Sequence, residues 1–207
     1  MPIAIKKSFN LIAKGFEYLE NTPDKSKSIS WAVFENGDKK VAVCNTHFWW
    51  MDGNQSESDK KILKPHIGEV AYWSKSQHDE LRTKNAKQLS ALMKQLSERF
   101  GCTVFAFGDM NTTISSDVFK IYSENNIKRL FDLACERDEV CSIHGNPKRG
   151  EDGKFHGEKT KDDYKCSIDH IVGLGDGFSV KEYRIVEAQD ALDVTDHSPV
   201  YADIILK

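Results

Sequence analysis

The 207-residue chain has no excess of basic charge: 29 Lys and Arg stand against 32 Asp and Glu, for a net charge of −3. That excludes a coat protein holding nucleic acid by bulk charge, while leaving room for an enzyme that handles phosphates at one local site. No apolar run approaches the roughly 20 residues that cross a bilayer, so no membrane span is expected. The N-terminal stretch MPIAIKKSFNLIAKGF has no apolar core of signal-peptide length. There is no internal repeat, no low-complexity tract and no C-x-x-C pair. The five cysteines, at 44, 102, 135, 141 and 166, are odd in number. A disulfide scaffold and a structural zinc site both find poor support in that pattern. Reduced thiols and a cytoplasmic location are the expectation.

What is present is globular. The chain is 39% apolar and carries 4 Trp, 6 Tyr and 11 Phe, side chains that need a core to bury them. Residues 30–35 and 40–46 read as strands, with Asn36-Gly37-Asp38 between them as a hairpin turn. Residues 52–76 read as polar and irregular. Leu81, Leu89, Leu92, Leu96 and Phe100 recur at mostly three- and four-residue spacing before Gly101, which gives an amphipathic helix over about 77–100. Residues 103–107, TVFAF, are apolar throughout and too short for a helix, as suits a buried strand. Ser115 or Ser116 can cap a helix running to about Asn125. Residues 136–165 hold 15 charged side chains and four glycines and read as a solvated loop or lid. Strands return at 166–172, 178–186 and 198–206. The expected architecture is a mixed α/β sandwich, in one domain over 1–207.

Four clusters can carry chemistry. Gly108-Asp109-Met110-Asn111 follows the buried strand, where α/β folds place ligands. In extended backbone Asp109 and Asn111 share a face, so one can take a proton while the other donates to the same oxygen group. Read locally, the same residues make a turn that leads into the next helix. Asn45-Thr46-His47 also ends a strand, and His47 can donate to a phosphate oxygen or simply pack among Phe48, Trp49 and Trp50. In Ser167-Ile168-Asp169-His170-Ile171, strand alternation puts Asp169 and His170 on opposite faces. Asp169 is therefore the candidate for orienting an imidazole, and His170 the structural residue. Asp196-His197 precedes the last strand and can diverge toward a metal and a substrate oxygen. Arg82 is read on the polar side of the long helix, where an arginine is ordinarily solvated.

Taken together, N-T-H, a helix bearing Arg, G-D-x-N, S-I-D-H-I and D-H-S-P-V, in that order and at strand ends, resemble the endonuclease/exonuclease/phosphatase superfamily with its deoxyribonuclease-I-like fold. Residues 18–24, with Ser28 and Trp31, resemble that family's segment just before the N-T-H strand. The resemblance implies a four-layer α/β sandwich of two mixed sheets flanked by helices. It also implies a phosphohydrolase using Mg2+ (or Mn2+), most suited to phosphodiesters and so to a nuclease or related phosphodiesterase. By the same resemblance His47 contacts the scissile phosphate, and Asp109 orients or deprotonates the attacking water. Asn111 fixes the phosphate, Asp196 is a metal ligand, and His197 meets the phosphate under the guidance of Asp169. Arg82 supports the phosphate-binding side.

The family opens with a strand carrying an Asn and a second strand ending in Gln-Glu, whose Glu ligates the metal. Neither is found in this sequence. The resemblance therefore maps the chain onto the C-terminal two-thirds of the family domain, and an N-terminally incomplete domain is expected. The alternative to a hydrolase is a catalytically impaired fragment or phosphate-binding module of the same fold. The partner is a phosphate ester, with DNA, RNA, nucleotide, inositol phosphate and lipid head group all open. The oligomeric state is not legible.

Overall fold

The computed structural model describes residues 2–23, 25–159 and 163–207. Asp24, at the end of the 18–24 stretch, and residues 160–162 of the charged loop lie outside them.

A six-stranded mixed sheet forms the platform, in the order β1-β2-β3-β4-β9-β5. Its members are β1 (Asn10–Tyr18), β2 (Ser28–Asn36), β3 (Lys39–His47), β4 (Thr103–Asp109), β5 (Ile127–Arg129) and β9 (Asp169–Leu174). Only the β3–β4 neighbours run parallel. Between β3 and β4 the chain makes α1 (Glu57–Ile67), a 3-10 turn at Gly68–Tyr72, and α2 (Lys75–Phe100). The helix α3 (Asp117–Glu124) follows β4, and α4 (Leu130–Leu133) joins β5 to β6 (Ala134–Arg137). A smaller mixed sheet has the order β11-β10-β6, from β10 (Phe178–Ile185) and β11 (Val200–Leu206), with α5 (Gln189–Leu192) between them. The strands β7 (Lys148–Arg149) and β8 (Phe155–His156) make a short ribbon within the charged loop.

The apolar run in β4 explains why two layers pack on it. Val104 and Ala106 join Leu89, Leu92, Met93 and Leu96 of α2 in one core. Phe105, on the other face, meets Phe178 of the small sheet at a centroid distance of 4.9 Å. A strand covered on both faces needs no polar alternation. Leu89 is fully buried, so truncation to Ala should cost about 2–5 kcal/mol.

The fold agrees with mixed sheets flanked by helices, and it corrects several local expectations. Residues 52–76 are not irregular: Ser56 caps α1 by accepting from the Asp59 backbone N. The helix was hidden because it is mostly polar, with Pro65 inside it and only Ile67 buried. β1 was missed because its positions are exposed or half-buried as an edge strand. The 136–165 stretch is not a bare loop either: it holds the β7–β8 ribbon, takes in the end of β6 and runs into a 3-10 turn at Tyr164–Cys166.

Cys141 and Cys166 are joined in a disulfide, against the expectation of reduced thiols; Cys44, Cys102 and Cys135 are free. Their 25-residue separation matches no local pairing motif, so only the fold reveals it. No helix among the described residues is long and apolar enough to cross a membrane.

Candidate active site

Sheet register assembles the site. His47 is the cross-strand partner of Asp109, and Asp109 is the partner of Asp169, so three candidates stand in one row over β3, β4 and β9. Laterally paired residues project from the same face. Gly108 makes the close approach of β3 and β4 possible: its φ is +134°, and a Cβ there would lie 1.9 Å from the Thr46 carbonyl oxygen. Only glycine fits.

His197 enters from the turn before β11. Its backbone bridges to Ile143, and its Nδ1 lies 2.8 Å from Asp169 Oδ2. Strand alternation made Asp169 rather than His170 the acid beneath an imidazole, and the contact with His197 is the one the resemblance implies. His170, one residue from Asp169, turns the other way into the core and is 1% exposed. Its Nε2 is 2.9 Å from the Thr112 carbonyl oxygen, and Phe119 packs on its ring. Ligand atoms of Asp109, Asp169 and His197 all lie within 4.8 Å of one another. His47 Nε2 is 3.4 Å from Asp109 Oδ2. Beside this group opens a cavity of about 550 Å³ that reaches Gly108, Asp169, Thr195, His197 and Pro199.

The electrostatics separate the groups. Burial, with the charge of Asp169 adding to it, pushes the Asp109 carboxyl up to about 6. The hydrogen bond to Asp169 carries His197 up to about 9 against the opposing cost of burial. Burial, then Lys27 and His197, lower His47 to about 4. At neutral pH, His47 is therefore neutral and its contact with Asp109 is not an ion pair, whereas His197 is an imidazolium. With Nδ1 committed to Asp169, His197 has Nε2 left as its donor.

Two expectations need correction. Asn111 is not in extended backbone: β4 ends at Asp109, and Asn111 has φ +48°. Its N donates to Asp109 Oδ1 at 2.8 Å, and its side-chain amide donates to the Phe48 carbonyl at 3.2 Å. The turn reading thus describes its geometry, and Asn111 holds Asp109 rather than sharing its direction. Arg82 is not solvated but 3% exposed. It donates to the carbonyls of Met51 (2.6 Å) and Trp49 (3.2 Å) and to Asp79. Asn85, one helical turn on, accepts from the Trp49 backbone N at 3.3 Å. This face of α2 clamps the loop that follows His47. Trp49 is fully buried, with Nε1 donating to His78, while Trp50 is 40% exposed. Asp196 joins no cluster of three or more potential metal-binding side chains among the described residues.

Those donors are partly committed to one another. Asp169 Oδ2 is taken by His197 Nδ1 and by Ser142 Oγ, each at 2.8 Å, and one oxygen of Asp109 is held by Asn111. Magnesium keeps several waters and is held through one or two carboxylates, so a carboxylate oxygen of Asp109 or Asp169 is what this centre would offer it. Ser142 itself went unnoticed in the sequence, since nothing in a charged loop marks its serine as buried.

No family model and no curated protein matches the sequence. Solved structures do match. An endonuclease/exonuclease/phosphatase from Bacteroides vulgatus superposes with a TM-score of 0.64 at 21% identity, covering 98% of this chain and 68% of that one. The mannosyl-6-phosphatase of Bacteroides thetaiotaomicron gives 0.60 at 20% identity, over 96% of this chain and 68% of its own. The human Nocturnin catalytic domain, solved with a bound sulfate anion, gives 0.61 at 12% identity, over 98% and 62%.

Proposed function

From the fold it shares with the endonuclease/exonuclease/phosphatase proteins, we propose that this chain, as one domain over 1–207, hydrolyses a phosphate ester at the Asp109–Asp169–His197 centre. The observation that carries the reading is a pair of opposed groups at one sheet edge. Asp109, raised to about 6, is a base tuned near neutrality. His197, raised to about 9, is a fixed cationic donor. Asp109 takes the proton of an attacking water, whose oxygen bonds to phosphorus as the ester P–O bond breaks. His197 Nε2 donates to the charge gathering on the phosphoryl group, and the leaving oxygen takes its proton from that imidazolium. Neutral His47 adds a hydrogen bond beside Asp109. Asn111 and Arg82 act by position, one on Asp109 and the other on the loop after His47.

The ester class follows from charge. Asp109, Asp169 and Asp196 against the His197 imidazolium and Lys27, all of which act on the centre, leave it net negative by one, which suits a monoanionic diester better than a dianionic monoester. Nucleic acid is one such diester, although a net charge of −3 disfavours tight hold on long duplexes. The resemblance leads to an expectation of Mg2+ or Mn2+ dependence, for which the carboxylates of this centre would be the ligands; no step above passes through an ion. The commitment of Asp169 Oδ2 to two donors favours a second reading, a phosphate-binding module with impaired catalysis.

Hydrolysis of bis(p-nitrophenyl) phosphate and p-nitrophenyl phosphate, with magnesium, manganese or chelator, tests the proposal. The diester should be cleaved faster. A faster monoester contradicts the charge argument, and calorimetric binding of inorganic phosphate without turnover of either ester selects the second reading.

A further inference from the structure

Ser142 is fully buried and every polar atom it has is engaged. Its backbone N donates to Ser167 Oγ at 3.0 Å. Its carbonyl accepts from Ser198 N at 2.8 Å. Its hydroxyl accepts from the backbone N of Ile168 and of Asp169, each at 3.2 Å, and donates to Asp169 Oδ2 at 2.8 Å. A hydroxyl has one proton and two lone pairs, so the set is complete. The partners are one member of the acid–imidazole pair, Asp169, and the chain neighbour of the other, Ser198. The side chain holds Asp169, and the main chain holds the residue after His197. The Ile143–His197 bridge extends that hold by one residue. The Cys141–Cys166 disulfide ties the residue before Ser142 to the residue before Ser167.

We propose that Ser142 is the positioning residue of the site. It places Asp169 Oδ2 and the His197 backbone so that the imidazole meets the carboxylate in one orientation. The same oxygen of Asp169 receives both donors, so it cannot rotate toward a third partner without breaking a buried hydrogen bond. The catalytic consequence rests on the hydrolase reading above; the geometric consequence does not.

Two measurements separate these. The first is a double-mutant cycle on diester hydrolysis, with Ser142→Ala, Asp169→Asn and the pair. Ser142→Ala should lower kcat about 10- to 100-fold, as small misplacements do, with KM little changed. Ser142→Thr, which keeps the hydroxyl, should recover most of the loss. In the Asp169→Asn background Ser142→Ala should add nothing. Equal losses in both backgrounds, or a fall in Tm with kcat intact, would overturn the proposal. If Ser142→Ala does not fold, Ser142→Cys, similar in size and weak as a donor, replaces it with the same expectations. The second measurement needs no activity: the low-field proton resonance of His197 Nδ1–H should be present in the wild type and lost or broadened in Ser142→Ala. An unchanged resonance overturns the proposal. Its loss in a chain that cleaves no phosphate ester keeps Ser142 in its role and removes the hydrolase reading instead.

Discussion

His47 and Asp109 face each other across the parallel strands β3 and β4, Nε2 to Oδ2 at 3.4 Å, and burial moves their protonation in opposite directions. It lowers the imidazole to about 4 and raises the carboxyl to about 6. His47 is thus neutral over the working range and sets no limb of a pH profile near neutrality. The rate should rise as Asp109 ionises through about 6 and fall as His197 loses its proton through about 9. The expected outcome is a bell in kcat/KM for bis(p-nitrophenyl) phosphate between those values. A profile flat through pH 6 removes Asp109 as the base.

Asp109 should also be costly to the fold. Its folded pKa lies above the ordinary carboxylate value, so the folded state binds the proton more tightly than the unfolded one. The resulting penalty is absent below about 3.8 and complete above about 6. Asp109→Asn should therefore gain about 1–3 kcal/mol at pH 8 and much less at pH 4. Denaturant midpoints at the two pH values check this. A loss of stability at pH 8 would show that the ionised carboxylate is stabilised by its surroundings.

The two histidines beside Asp169 and Asp196 should behave differently. His170→Gln removes a buried ring and its Thr112 contact, and should cost about 1–3 kcal/mol of stability. Its turnover should stay within a few-fold of wild type. His197→Ala should lower Tm at pH 7, where the proton that the fold holds through about 9 is stabilising, and should lower kcat about 10²- to 10³-fold, as loss of a donor to developing charge does. Equal losses of turnover would reassign the catalytic histidine.

β11 pairs with β10 on one side and with no strand on its outer edge among the described residues. It offers that edge with Tyr201 and Ile205 exposed and one charged side chain, Asp203, in seven residues. Such an edge recruits another strand. A second copy of the chain, antiparallel along β11, is the expected occupant, so light scattering should give a mass that grows with concentration. Ile205→Lys should restore the monomer. A monomer at all concentrations in the unaltered chain contradicts this.

The sequence revealed elements where one physical signal dominated. Leucine spacing marked α2, and unbroken apolarity marked β4. Alternation assigned Asp169 and His170 to opposite faces without any knowledge of their partners. It failed at Asn111, because alternation holds only within a strand and β4 ends two residues earlier. Arg82 was misread because its neighbours on α2 do not show that a loop arrives to cover it. Ser142 and the cysteine pair were invisible for the same reason: their partners are 25 or more residues away, Ser198 the furthest, and are brought near only by β9 and the turn before β11.

The most direct test compares initial rates of diester hydrolysis for the wild type and Asp109→Asn, with far-UV circular dichroism on both. The account predicts measurable turnover in the wild type and a loss of at least about 10²-fold in the variant, with identical spectra. An Asp109→Asn protein that hydrolyses the diester as fast as the wild type would contradict it.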